Sequence, residues 1–154
     1  MIIASPSLFL ASTISKIIDV PNIADGSTVV VSLTKGFVPS PTGPKLVLET
    51  MESALPPCYK DKTVYVAGPS HAEEVAIGKL TGLVAASVNP KNSIKVRELL
   101  RVPGIMAYSS FDVVGVQICA AAKNVIAVVY GALDAIAEHS DKFGDNTESL
   151  LMAA

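Results

Sequence analysis

The seven residues Ser27 to Leu33, "STVVVSL", place the tightest limit on what this chain can fold into. Three successive valines leave no alternation of apolar and polar positions, so a strand built from them presents hydrocarbon on both faces. Such a strand is at home only in a sheet covered on both sides, the usual setting of a parallel sheet in an α/β fold. The neighbouring segments agree with that reading. "MIIAS" at the start, "TVYVAG" from Thr63, "GLVAASV" from Gly82 and "IMAYSS" from Ile105 are further strands by their β-branched and apolar content. Helical patterns lie between them: Pro6 to about Val20, a segment within "PTGPKLVLETMESAL" closed by Pro56 and Pro57, Ser70 to Ile77, and Pro90 to about Arg101. Alternation of this kind predicts an α/β sheet.

At Phe111 the pattern becomes wholly helical, which divides the chain into 1–110 and 111–154. One long apolar helix is expected to about His139, then a polar loop, "HSDKFGDN", then a helix near Asn146. Asn146 or Thr147 can cap that helix, with Glu148 in its first turn. The run from Val113 to Ala137 has the length of a membrane span, but Gln117, Lys123, Asn124 and Asp134 interrupt it. Charged residues at a bilayer centre are costly, so the run is read as a buried core helix and no integral membrane segment is expected. "SLLMAA" closes the chain on an apolar face that calls for cover from a partner chain, as in a homodimer.

Composition narrows the function. With 50% hydrophobic and 17% charged residues, the 154-residue chain can bury a sizeable core. Its net charge of −2 includes no basic face for nucleic acid. Cys58 and Cys119 form no CxxC pair and suggest reduced thiols in a cytoplasmic protein. The opening "MIIASPSLFLASTIS" lacks the basic flank of a signal peptide, and Pro6 falls within its apolar stretch. No cluster of His, Asp and Glu has metal-ligand spacing.

Three segments could carry chemistry. "VSLTKGF" sets Thr34, Lys35 and Gly36 directly after a strand, where α/β sheets bind ligands; taken alone, a solvated lysine in a surface turn is the plainer reading. "VAGPSHAEEVA" runs from a strand into a helix start, a natural anion site. There Gly68 permits close approach, Ser70 can cap or bind, and His71 could act as acid or base. A capped helix with a loop histidine reads equally well. His139, beside Asp141 and Lys142, reads as exposed. In "CAAAKNVIAVVYGALDAIA", Lys123 shares a helix face with Cys119, Ala120, Ala127 and Tyr130, small or apolar neighbours with no carboxylate a turn away. It is either a snorkelling lysine or a functional one, since a desolvated lysine beside a second cation such as Lys35 can serve as a base near neutral pH.

Together, "SLTKG" at Ser32 to Gly36, "GPSHAEEVA" at Gly68 to Ala76, "AAKNVIAV" at Ala121 to Val128 and "GDNTESLL" at Gly144 to Leu151 resemble NAD(P)-dependent glycerol-3-phosphate dehydrogenase, in the family's order. The resemblance implies the C-terminal part of a Rossmann-like dinucleotide-binding domain over 1–110. Residues 111–154 would then be the first helices of an all-helical substrate domain of the 6-phosphogluconate-dehydrogenase type. It implies interconversion of sn-glycerol 3-phosphate and dihydroxyacetone phosphate, with NAD or NADP as cofactor. Lys123 matches the catalytic lysine and proton acceptor. Lys35 matches a contact to substrate and cofactor, Gly68, Ser70 and Asn124 match substrate-binding positions, and Phe9 and Ala72 match positions that line the dinucleotide. Ala120, Ala121 and Ala122 stand where the family commonly has Gly-Ala-Leu. The family's glycine-rich turn would precede residue 1, and its Arg-Asn pair would follow residue 154. The 154 residues alone are therefore expected to be inactive. Two alternatives stay open: another β-hydroxyacid-type dehydrogenase, and a non-catalytic helical interaction module.

Overall fold

The computed structural model describes residues 1–138. His139, the loop that follows it, and the helix expected near Asn146 lie outside the described residues. The chain divides into two compact units, Met1–Ala121 and a second that begins at Ala122.

The first unit is built on a five-stranded sheet in sequence order, β1 (Ile2–Ile3), β2 (Val31–Ser32), β3 (Val64–Ala67), β4 (Thr81–Ala86) and β5 (Ile105–Ser110). Strands β1, β2 and β3 are parallel, with Ile3 opposite Ser32 and Ser32 opposite Tyr65. β4 returns antiparallel to β3, and β5 runs parallel to β4. The reversal follows from the connection. Between β3 and β4 lies only the five-residue helix α4 (Ala72–Ala76), which turns the chain over at one edge. That connection is the shortest of those between the strands of this sheet.

Both faces are covered, as the valine run requires. On one face Leu10 and Ile14 of α1 (Leu10–Ser15) meet Val47, Leu48 and Met51 of α3 (Val47–Ala54) over Ile3, Val30, Tyr65 and Ala86. On the other, Val96 of α5 (Pro90–Leu100) packs on Val31, Val64, Val66 and Ala85. Adjacent Val30 and Val31 thus bury into opposite layers. Asn89 caps α5 by accepting the Asn92 amide at 3.2 Å, with Pro90 at its first turn.

The first helical segment is shorter than its sequence pattern. A 3₁₀ turn at Ser7–Phe9 leads into α1, which ends at Ser15, and a separate α2 occupies Pro21–Ala24. Ser12 and Thr13 turn their hydroxyls back onto the Phe9 carbonyl, competing with the helix ladder. Pro21 forces Val20 into the extended region, so one helix cannot run through.

Helix α6 (Val113–Glu138) begins at Asp112, whose Oδ1 accepts the Gly115 amide at 2.8 Å. Its first turns present Val113, Val116 and Ala120, spaced three and four apart, to the sheet core. Beyond them the reading as a buried core helix is not met. Val125, Ile126, Val128, Val129, Tyr130 and Ile136 are between 48% and 73% exposed. The helix carries apolar residues on more than one side, and Val113, Val116 and Ala120 form the stripe that packs on the first core. In length and composition it would also serve to cross a membrane.

Candidate functional site

The parallel direction of β1, β2 and β3 brings their carboxyl ends to one sheet edge, the edge at which open α/β sheets bind ligands. The loops that leave those ends carry several of the residues singled out from sequence. After β1, Phe9 ends the 3₁₀ turn with more than half its surface exposed. After β2, Lys35 is exposed, and Gly36 takes φ 91°, a left-handed conformation that favours glycine. After β3 come Gly68 and Ser70, both half-buried, and then Ala72, the first residue of α4.

Each loop has a local physical cause. The β2 loop is held by Thr34, which is 2% exposed and donates its hydroxyl to the Ser5 carbonyl at 2.9 Å. The Thr34 amide in turn donates to Ser32 Oγ at 3.1 Å, a contact that is buried, whereas the hydroxyl bond to Ser5 is partly so. Gly68 is required by the sheet itself: a Cβ there would collide with the Gly82 carbonyl on β4. Its freedom from a side chain, read from sequence as room for a ligand, is thus already used by the strand next to it. Ser70 is not the cap of α4. The N-cap residue is His71, in extended conformation and with no capping bond from its side chain, while the Ser70 amide donates to the Gly68 carbonyl at 2.9 Å. Glu73 and Glu74 occupy the first turn of α4, and Glu74 pairs with Lys79 at 2.9 Å. Among the described residues, neither Lys35 nor Lys123 forms an ion pair.

Lys123 and Asn124 lie in α6 within the second unit. Lys123 is half-buried and Asn124 exposed. The helix runs unbroken from Cys119 through Tyr130, so the small-faced stripe expected around Lys123 exists as read.

Two residues with structural leverage on these elements were named in the sequence but given no role of their own there. Thr34 is the first. Gln117, noticed only as an interruption of an apolar run, is the second: it is 3% exposed, accepts the Leu48 amide at 2.9 Å and donates to the Val113 carbonyl at 2.8 Å. Tyr65, wholly buried in β3, has a hydroxyl with no partner among the described residues, and burial pushes its pKa above the ordinary tyrosine value. A surface cleft of ≈ 320 Å³ beside Lys62, Lys91 and Lys95, near the start of α5, contains none of the candidate residues.

Comparison with known proteins places this geometry. Residues 1–93 match the family described as NAD-dependent glycerol-3-phosphate dehydrogenase N-terminus, and residues 112–154 match its C-terminus. A protein of Treponema denticola named glycerol-3-phosphate dehydrogenase [NAD(P)+] is 53% identical over 158 residues, covering 99% of this chain and 44% of the relative. One of Treponema pallidum with the same name is 50% identical, covering 100% and 46%. The chain therefore spans less than half the length of these curated relatives. Among solved structures, glycerol-3-phosphate dehydrogenase of Coxiella burnetii superposes with TM-score 0.72 at 25% identity, over 99% of this chain and 42% of that one. That of Plasmodium falciparum gives 0.75 at 19% identity, over 97% and 39%, a likeness of fold alone.

Proposed function

Because the chain belongs to the NAD-dependent glycerol-3-phosphate dehydrogenase family, we propose that it supplies the central part of an enzyme interconverting sn-glycerol 3-phosphate and dihydroxyacetone phosphate. The observation that carries the reading is the match at both ends, to N-terminal and C-terminal family segments in order, in a chain 53% identical to a relative of that name. In this reading 1–110 is the partial dinucleotide-binding domain and 111–154 begins the helical substrate domain. The enzyme is cytoplasmic, acts on a small phosphorylated substrate and works as a homodimer.

The residues at the sheet edge suit that chemistry. Lys35, exposed and free of ion pairs among the described residues, offers positive charge to a phosphorylated substrate and a dinucleotide. Phe9 offers an exposed ring beside the same edge, and Ala72 a side chain small enough for close approach. Gly68 and Ser70 are the substrate-binding positions of the first unit, and Asn124 is that of the second. NAD or NADP, when bound, would supply the hydride chemistry at C2, and the residues of this chain would bind and orient substrate and cofactor. Lys123 takes the proton of the C2 hydroxyl in the oxidative direction. In the reductive direction its ammonium group hydrogen-bonds the ketone oxygen and gives the proton back. The small residues around Lys123 keep bulky side chains from competing for that position.

The test uses an enzyme assembled from these 154 residues and the flanking segments of the Treponema denticola relative. Lys123→Ala should lower turnover by roughly 10²–10⁴-fold, the usual range for a general acid–base, with dinucleotide affinity little changed. Turnover equal to that of the unsubstituted chimera would refute the assignment.

A further inference from the structure

The ladder between β1 and β2 stops one rung short, and a side chain takes over. The Val31 amide donates to the Met1 carbonyl at 2.9 Å and the Leu33 amide to the Ile3 carbonyl at 2.8 Å. In a parallel pair the next rung would join the Lys35 amide to the Ser5 carbonyl. Instead the Thr34 hydroxyl takes the Ser5 carbonyl at 2.9 Å. Among the described residues the Lys35 amide has no hydrogen-bond partner. The bond is partly shielded, its donor residue Thr34 being 2% exposed, and that residue is fixed from behind by the Thr34 amide on Ser32 Oγ. Two consequences follow from one hydroxyl. The Ser5–Pro6 corner, which leads directly into the turn ending at Phe9, is tied to the loop of Lys35. The Lys35 backbone is released from the sheet, so that both its amide and its ammonium group leave the edge as donors.

We propose that Thr34 is a positioning residue: its hydroxyl latches the Phe9 turn to the Lys35 loop and sets both for ligand binding. This rests on the functional reading above and adds a residue that acts only through its neighbours. Valine has nearly the shape of threonine without the donor, so Thr34→Val removes the latch with little change in packing. Thr34→Ser keeps the donor and loses only a methyl group.

In the chimeric enzyme, Thr34→Val should raise KM for both the dinucleotide and glycerol 3-phosphate about five- to tenfold, the scale of one buried hydrogen bond. Turnover should stay within about twofold, because Lys123 is untouched, and Thr34→Ser should restore both KM values. Unchanged KM in Thr34→Val, or a serine variant as impaired as the valine one, overturns the latch. An inactive unsubstituted chimera would refute the functional reading itself. The latch would then be judged on amide exchange in the 154-residue chain. There Thr34→Val must speed exchange of the Leu33 and Thr34 amides while Thr34→Ser does not, and equal exchange in all three proteins overturns it.

Discussion

Gln117→Leu tests what seats the start of α6 on the sheet unit. Gln117 lies nine-tenths and more buried between two helices, and each end of its amide is used. Its oxygen accepts the amide of Leu48, one of the early N–H groups of α3 that no carbonyl of that helix can satisfy. Leucine fills nearly the same volume, so the substitution opens little cavity and isolates the hydrogen bond. The Val113 carbonyl loses little, being a helix carbonyl with an intrahelical donor available. The Leu48 amide loses its only acceptor in a buried site, at a cost of about 2 kcal/mol within the usual range of about 1–3. The more apolar leucine side chain returns up to about 1 kcal/mol by its own burial. The net expectation is a loss of about 1–2 kcal/mol. With a urea dependence of about 2 kcal/mol per molar, the unfolding midpoint followed by circular dichroism should fall about 0.5–1 M. The Leu48 amide should lose exchange protection in the same protein. A midpoint within about 0.2 M of the unsubstituted chain, with Leu48 still protected, would show that α6 is seated by Val113, Val116 and Ala120 alone and that the bond contributes nothing net.

Two further substitutions probe the sheet. Gly68→Ala places a methyl group against the Gly82 carbonyl, a backbone atom that can move only if β3 and β4 separate; we expect a loss of about 2–3 kcal/mol by urea unfolding, and an unaltered midpoint would disprove the close approach. Tyr65→Phe removes a buried hydroxyl that has no partner among the described residues and should leave the chain as stable or about 1 kcal/mol more stable at neutral pH. Burial raises the Tyr65 pKa above that of the unfolded chain, so the folded state holds the proton more tightly. That contribution is complete below about pH 10 and is lost as pH rises through the folded value. Tyr65→Phe should therefore flatten the fall of stability in alkali. Tyr59, whose pKa burial also raises, retains its own share. An identical alkaline slope in both proteins would contradict the assignment.

The sequence is legible where a residue's role depends on its own strand or turn. Val30 and Val31 need opposite layers of cover because they are adjacent in an extended chain, and the core supplies both. Phe9, Lys35 and Gly68 follow strands that are recognisable from composition, so their arrival at one edge needs only that those strands be parallel. The direction of β4 is not legible in the same way. Nothing in "GLVAASV" distinguishes a parallel from an antiparallel partner; the outcome is set by how short α4 is and by the meeting of Gly68 with Gly82.

The polar residues that hold the elements together are hidden for a related reason. Thr34 bonds to a carbonyl 29 residues away, and Gln117 to an amide 69 residues away. A local window shows only a hydroxyl at a strand end and an amide in an apolar helix, each ordinarily a sign of solvent. Their partners appear only when the topology closes, because the groups they satisfy are backbone atoms left over by a stopped ladder and a helix start. Sequence pattern marks residues that could face a ligand, while the long-range accounting of backbone hydrogen bonds marks those that hold them in place. Lys123 belongs to the first kind and Thr34 to the second. The two kinds should differ in kinetics, with loss of Lys123 appearing in turnover and loss of Thr34 in KM.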